Sequence, residues 1–206
     1  MERTVTPSGI SQGQIGKIQE LLGAGLRKSG LSGEPVQQII EHQGDALVRE
    51  LVAVVCKRVE AVSNLIVRRV RVNRSRNPQQ ALDATGRRQF TDKDVVRAMP
   101  RGTGEEGETF FFQLNLSERG GHISDDELDK EFSDREFIPE DPDTLAAVNE
   151  ADPAFADTHP NCTHWKDASG KWCYAAFDRW DDGRAVGVGR SANDWSGSWW
   201  FAGRRK

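Results

Sequence analysis

Val48, Leu51, Val52, Val55, Val59 and Val62 recur at three- and four-residue intervals. That period keeps all six on one face of an α-helix and predicts a helix over about 46–63. Ile15, Ile18, Leu22 and Leu26 repeat the pattern over 14–28. Pro35, tolerated in a first turn where an N–H has no partner, opens a short helix to Ile40. Gly44-Asp45 reads as the break between that short helix and the valine stripe. Cys56, beside the stripe, is expected to be a small buried residue.

After Leu65 the period falls to two. Over 66–73 apolar residues alternate with arginines, which predicts a strand with Val70 and Val72 inward and Arg69 and Arg71 toward water. A second apolar strand, Thr109 to Leu116, carries the run Phe110-Phe111-Phe112 and is expected to pair with the first. Between them, 79–84 reads as a helical turn ended by Gly86, and Thr91 as the N-cap of a helix over 92–98. Ser124 and Glu127 have the spacing of a capping box, so a helix over about 125–135 follows. Asp143 is the expected cap of a short helix over 144–150.

In the C-terminal part, two alternating runs, 171–178 and 184–190, flank Asp182-Gly183, a dipeptide suited to a tight hairpin turn. A two-residue loop there sets Phe177 opposite Val188 and puts Cys173, Ala175, Phe177, Val186 and Val188 on one core-facing side. The other side carries Trp172 and Tyr174 beside Gly187 and Gly189, an aromatic platform next to bare backbone. A third run, 198–203, completes a three-stranded antiparallel meander. The fold class is thus α+β. It has a helical segment over 1–64, a small mixed α/β segment with the arginine-rich strand over 65–116, an acidic connector with short helices over 117–160, and a Trp-rich β-meander over 161–206.

Charge sharpens this division. Residues 1–103 hold 17 Lys+Arg against 10 Asp+Glu, residues 104–160 hold 3 against 17, and residues 161–206 hold 8 against 5. Blocks of +7 and -14 in one chain can face each other, and the helix over 125–135 is expected to lie against the arginine strand. No apolar run is long enough to span a membrane, and the N-terminus lacks the basic-then-apolar pattern of a signal peptide. Three cysteines without framework spacing suit a reducing compartment. A cytoplasmic protein with no membrane partner is expected.

Three constellations carry candidate chemistry. His159, Cys162, His164 and Cys173 are of the right types for tetrahedral zinc or, as a Cys–His pair, for nucleophilic hydrolysis. Their spacing departs from paired C-x-x-C and H-x-x-x-H patterns, and Cys173 also belongs to the hairpin core, so folding without zinc and no other cofactor is expected. Arg69, Arg71 and Arg74, with Arg87 and Arg88 nearby, could line a phosphate surface or simply form a solvated edge. Trp172 and Tyr174 could stack on a ligand or cover a helix. Gly187-Val-Gly189 fits a relaxed dinucleotide fingerprint, but 193–197 offers no helix to receive a pyrophosphate.

The segments Pro78-Gln-Gln-Ala-Leu-Asp-Ala-Thr-Gly-Arg87, His159-Pro-Asn-Cys-Thr-His-Trp-Lys166 and Trp199-Trp-Phe-Ala-Gly-Arg204 resemble a family of uncharacterised bacterial proteins, over most of the chain after about residue 14. The resemblance implies a bacterial cytoplasmic protein and brings no activity, ligand or catalytic residue with it. From the residues themselves the expected function is non-catalytic binding of a protein or nucleic-acid partner through the Trp/Tyr platform, the arginine strand or both. The alternative is a zinc-binding protein or a Cys/His-dependent hydrolase.

Overall fold

The structure, a computed structural model, describes residues 10–180, 183–190 and 194–206, without the side chain of Ala61. The chain divides into two compact units at Val62/Ser63. The first holds α1 (Gln12–Lys28) and α2 (Gly33–Ser63). Ser11 caps α1 through a reciprocal pair with Gln14, and Gly30, in the left-handed region at φ 72°, turns the chain between the helices. One helix replaces the two expected over 35–63, because Gly44 is absorbed into it. A helical glycine costs about 1 kcal/mol relative to alanine and weakens a helix without ending it. Cys56 is exposed rather than buried, as are Val48, Val52 and Val59 of the stripe beside it.

From Ser63 onward the elements run β1 (Leu65–Arg71), α3 (Pro78–Ala84), β2 (Arg88–Thr91), α4 (Lys93–Arg97), β3 (Glu106–Gln113), β4 (His122–Ile123), α5 (Asp125–Asp134) and β5 (Phe137–Pro139). They continue with α6 (Pro142–Ala151), α7 (Phe155–Thr158), β6 (Asn161–Lys166), β7 (Trp172–Trp180), β8 (Gly183–Arg190), β9 (Trp195–Ser196) and β10 (Trp200–Arg205). The fold is α+β, with a mixed sheet in the order β1-β3-β10-β6-β7-β8-β2, β5 added against β10, and a small β4-β9 ribbon. Strands from 65–116, 117–160 and 161–206 therefore interleave in one sheet.

The arginine strand pairs antiparallel with β3 as expected, Ile66 opposite Phe111. The Phe110–Phe112 run lies in a strand covered on both faces, which is why its apolar residues do not alternate with polar ones. Phe111 joins Leu82, Val95, Leu145 and Phe155 on the side of α3, α4, α6 and α7, while Phe110 and Phe112 join Leu128, Phe132 and Phe201 on the side of α5.

Three local expectations change. The meander is β6-β7-β8, because the run at 198–203 leaves β8 and becomes β10, inserted between β3 and β6. Phe201 and Ala202 are buried on opposite faces there, so the strand's apolar content fits a central position. In the hairpin, Trp180 already pairs with Gly183, which places Phe177 opposite Val186 rather than Val188. Asp182 of the expected turn lies outside the described residues. A shift of two residues conserves the period, so Cys173, Ala175, Phe177, Val186 and Val188 still share one buried core. Finally, the caps of α4 and α6 are Asp92, one residue after Thr91, and Asp141, two residues before Asp143, with a carboxylate accepting from the first-turn N–H groups. The α5 capping box forms as read.

Candidate functional site

The Tyr174 ring lies across Gly187 and Gly189 of β8, with ring carbons 3.5 and 3.6 Å from where a Cβ would stand. A methyl group at either position would meet the ring in ordinary van der Waals contact, so the ring rests directly over this stretch of β8. Beyond Tyr174, Trp195 stands edge-on at 5.8 Å, and Trp199 edge-on to Trp195 at 5.6 Å. Trp195 is held by its indole N–H, which donates to Asp125 Oδ1 at 2.8 Å. Because β2 pairs in parallel with β8, Phe90 comes level with Gly187, and its ring meets Trp180 at 4.8 Å. Both rings are exposed.

These five aromatic side chains line one open cleft of about 300 Å³ together with Asp178, Asp194 and Arg190. Asp178 is half-buried, and burial holds its carboxyl above the ordinary range although the Trp180 indole N–H donates to it. Burial and the nearby Asp178 likewise raise the Tyr174 phenol. Arg190 is paired with Asp92 at 3.1 Å and Asp167 at 3.4 Å, so its charge is already answered. The wall of the cleft is aromatic and carries the carboxylates of Asp178 and Asp194; the Arg87 guanidinium draws the Asp178 carboxyl back down, and Arg88 lies over the Phe90 ring at 4.9 Å.

Trp172 does not share this cleft. It stacks on His164 at 4.5 Å and 10°, its indole N–H donates to Asp126 at 3.1 Å, and Lys166 sits over its ring at 4.4 Å. Residues two apart on a strand share a face, yet each ring goes to its own neighbour, so the expected platform is divided. Trp172 and His164 instead line a second cleft of about 370 Å³, with Glu140, Arg101, Lys166 and Arg204. It opens where β10, after Phe201, leaves its parallel partner β6 for β5. Burial pushes the Glu140 carboxyl up to about 7, against hydrogen bonds from the Thr109 hydroxyl at 2.8 Å and the Asp141 N–H at 3.0 Å. His164 donates from Nδ1 to Asp125 at 2.8 Å, and its buried Nε2 has no hydrogen-bond partner among the described residues.

The proposed zinc ligands fall on two sides of the sheet. Cys162 packs with Phe112 and Phe201, in the same core that receives α5, whereas Cys173 packs with Ala175 and Phe177 in the opposite one. His159 stacks on Phe155 and stands edge-on to Trp200. No group of three or more metal-type ligands assembles among the described residues. Burial pushes both thiols up, Cys162 well above its ordinary value, which is the reverse of what a nucleophilic thiolate needs.

The arginines are individually matched. Arg69 pairs with Glu108 at 2.6 Å and Arg71 with Glu105 at 3.6 Å. Arg74, largely buried, forks onto Asp141 at 2.7 and 3.1 Å and donates to Thr144. Arg87 is buried and donates to Asn149 and to the carbonyls of Asp178 and Pro153, so it is a brace inside the body and not part of a phosphate surface. The opposing carboxylates come from β3, the residue just before it and the α6 N-terminus rather than from α5. That helix turns Leu128 and Phe132 into the core with Phe112 and Phe201, which fixes its position by apolar packing.

The chain matches no protein-family model, no curated protein and no solved structure, so the functional reading rests on its own residues. No helix among the described residues is long and apolar enough to cross a membrane.

Proposed function

We propose that the protein is a non-catalytic binding module that takes an organic cation, such as a quaternary or alkylated ammonium group, into the cleft of Tyr174. The supporting observation is the combination in one open cleft of Phe90, Tyr174, Trp180, Trp195 and Trp199 with the carboxylates of Asp178 and Asp194. Aromatic faces carry negative quadrupole density and attract a cation without demanding its full dehydration by oxygen ligands. A neutral planar ligand would use the rings but would gain nothing from the carboxylates of Asp178 and Asp194 beside them. A nucleic-acid partner for Arg69, Arg71 and Arg74 draws less support, since each already has a carboxylate partner.

Titration with choline, followed by tryptophan emission and calorimetry, tests the reading. Saturable binding is expected, at least ~10-fold tighter than for 3,3-dimethylbutan-1-ol, which has the same shape without the charge. Tyr174→Ala and Trp199→Ala should abolish it, and Asp178→Asn should weaken it. Equal affinity for the two probes would reject a cation site, and no saturable binding of either would reject the cleft as a site for this ligand class.

A further inference from the structure

The cleft beside Glu140 is lined by two side chains whose buried nitrogens have no hydrogen-bond partner among the described residues. His164 is 1% exposed, and its Nδ1 donates to Asp125 at 2.8 Å, which leaves Nε2 of the neutral ring an acceptor without a donor. Asp125 does not line the cleft, so the His164 ring meets it by the edge away from Nδ1, the edge that carries Nε2. Trp165 lines the cleft too, and its indole N–H is a donor without an acceptor. The backbone is open here as well. The ladder between β10 and β6 ends at Cys162, and the Ala202 carbonyl, next in line for β6, accepts from the Glu140 N–H at 3.0 Å instead. Buried polar groups are nearly always paired, so an orphan of each kind in one cleft points to a ligand that brings both an O–H and further oxygens.

Charges in the walls set the sign of that ligand. Arg101 is already engaged, by Asp143 at 2.8 Å and by the carbonyls of Arg74 and Arg76, and Asp141 is engaged in turn by Arg74. Arg204 and Lys166 are about half exposed and loosely held, with Arg204 Nε 3.8 Å from Glu140 Oε1 and Lys166 Nζ 3.4 Å from the exposed Asp126. Against them the lining sets one exposed carboxylate, Asp129, while Glu140 is buried and mostly uncharged below about pH 7. We propose that the cleft is a site for a hydrogen-phosphate group, free or carried by a small molecule, whose P–O–H donates to His164 Nε2 while its other oxygens accept from Arg204, Lys166 and the Trp165 N–H. A carboxylate would answer the two cations but brings no proton for His164, and a neutral alcohol brings the O–H without the charge. The volume of about 370 Å³ is within the range of small-molecule sites.

Calorimetry of the full chain at about pH 6, where phosphate and its monoesters still carry a P–O–H, compares sodium phosphate, glycerol 3-phosphate and sodium sulfate. Saturable binding of a phosphate is expected below about 1 mM, at least ~10-fold tighter than sulfate. Sulfate has the same tetrahedral shape and more charge at that pH but no proton, so charge alone would favour it. Tighter binding of sodium phosphate would support the free ion as the occupant, and tighter binding of glycerol 3-phosphate an organic phosphate.

Arg204→Gln and Lys166→Met, both at half-exposed positions, should each weaken phosphate binding by ~10-fold and leave the unfolding transition in place. His164→Phe would also strip Asp125 of a donor, so the wild-type chain supplies the second measurement. With isotope-labelled histidine, the His164 Nε2 resonance should move on adding phosphate, with the same half-saturation as the calorimetry, and stay in place on adding sulfate. No saturable binding of either phosphate, sulfate binding as tightly, or binding that survives both substitutions would overturn the proposal. A His164 resonance that stays fixed while phosphate binds would overturn the hydrogen bond to Nε2.

Discussion

Val59 of α2 and Val186 of β8 are the same side chain in opposite circumstances. The first is about half exposed, at 52%, on a helix that meets its periodic pattern in full; the second is wholly buried, with Phe177 directly across the hairpin. The contrast extends to whole regions. From Ser63 onward nearly every periodic apolar position finds a facing layer, whereas α1 buries no residue and the α2 stripe stays open. Hydrophobic periodicity thus specifies the element and the face that seeks cover. It does not say whether the cover comes from the same chain.

Truncation should separate the two regions most clearly. Phe111 is fully buried and stands edge-on to Phe155 at 4.9 Å, so Phe111→Ala should lower the stability of the body by about 3–5 kcal/mol in urea unfolding followed by tryptophan emission. A midpoint close to wild type would mean that this core is loosely packed.

The next largest effect concerns a polar group caught in the body's core. The Glu140 carboxyl has a folded value of about 7, above its ordinary 4.5. Its stabilising contribution is therefore full below about 4.5 and is lost as pH rises through 7. Glu140→Gln keeps the uncharged shape. It should stabilise the body by roughly 2–3 kcal/mol at pH 8 and make little difference at pH 4, as thermal unfolding at the two pH values would show. A variant equally destabilised at both would show that the carboxyl's hydrogen bonds outweigh its burial.

Gly203 comes next. A Cβ there would stand 2.9 Å from the Phe132 ring, which is itself packed on Phe112 at 5.0 Å. Gly203→Ala should cost about 1–3 kcal/mol by displacing α5 from β10. An unchanged chemical-shift pattern around Phe132 would show that the contact yields freely. The smallest effect is expected on α2, where Val54→Ala should move the tryptophan-detected transition of the body by less than about 0.5 kcal/mol. Any larger shift would erase the contrast between the regions.

What could be read from the residues follows the range of the interactions involved. The Ser124 capping box, the Gly86 stop, the pairing of the arginine and Phe110–Phe112 strands and the two faces of the hairpin all rest on near neighbours or on a strong period, and each is found. The central place of β10 depends on contacts with β3 about 90 residues earlier, which leave no local mark. The strand β6 was hidden because Asn161, Thr163 and His164 are polar residues that bond inside the body to Asn149, Glu140 and Asp125. The cleft was half legible. Tyr174 beside two glycines pointed to it, but Phe90 arrives through a parallel pairing, and Trp172 is diverted by a His164 ring that only the register with β7 brings close. The arginines could be seen, whereas their carboxylate partners could not.

The position of β10 also governs when the body can exist. It follows every other strand of its sheet in the chain, yet it joins β3 on one side to β6 on the other. While a ribosome is still short of Trp200, the nascent chain can assemble no more than two separate ribbons, β1 with β3 and β6 with β7, β8 and β2, each with an open edge. Synthesis proceeds at roughly 5–20 residues per second, ample time for such edges to find one another in neighbouring chains. The body therefore cannot close until Trp200–Arg205 has been synthesised, and its yield in the cell should respond to chaperone supply more than its final stability would suggest.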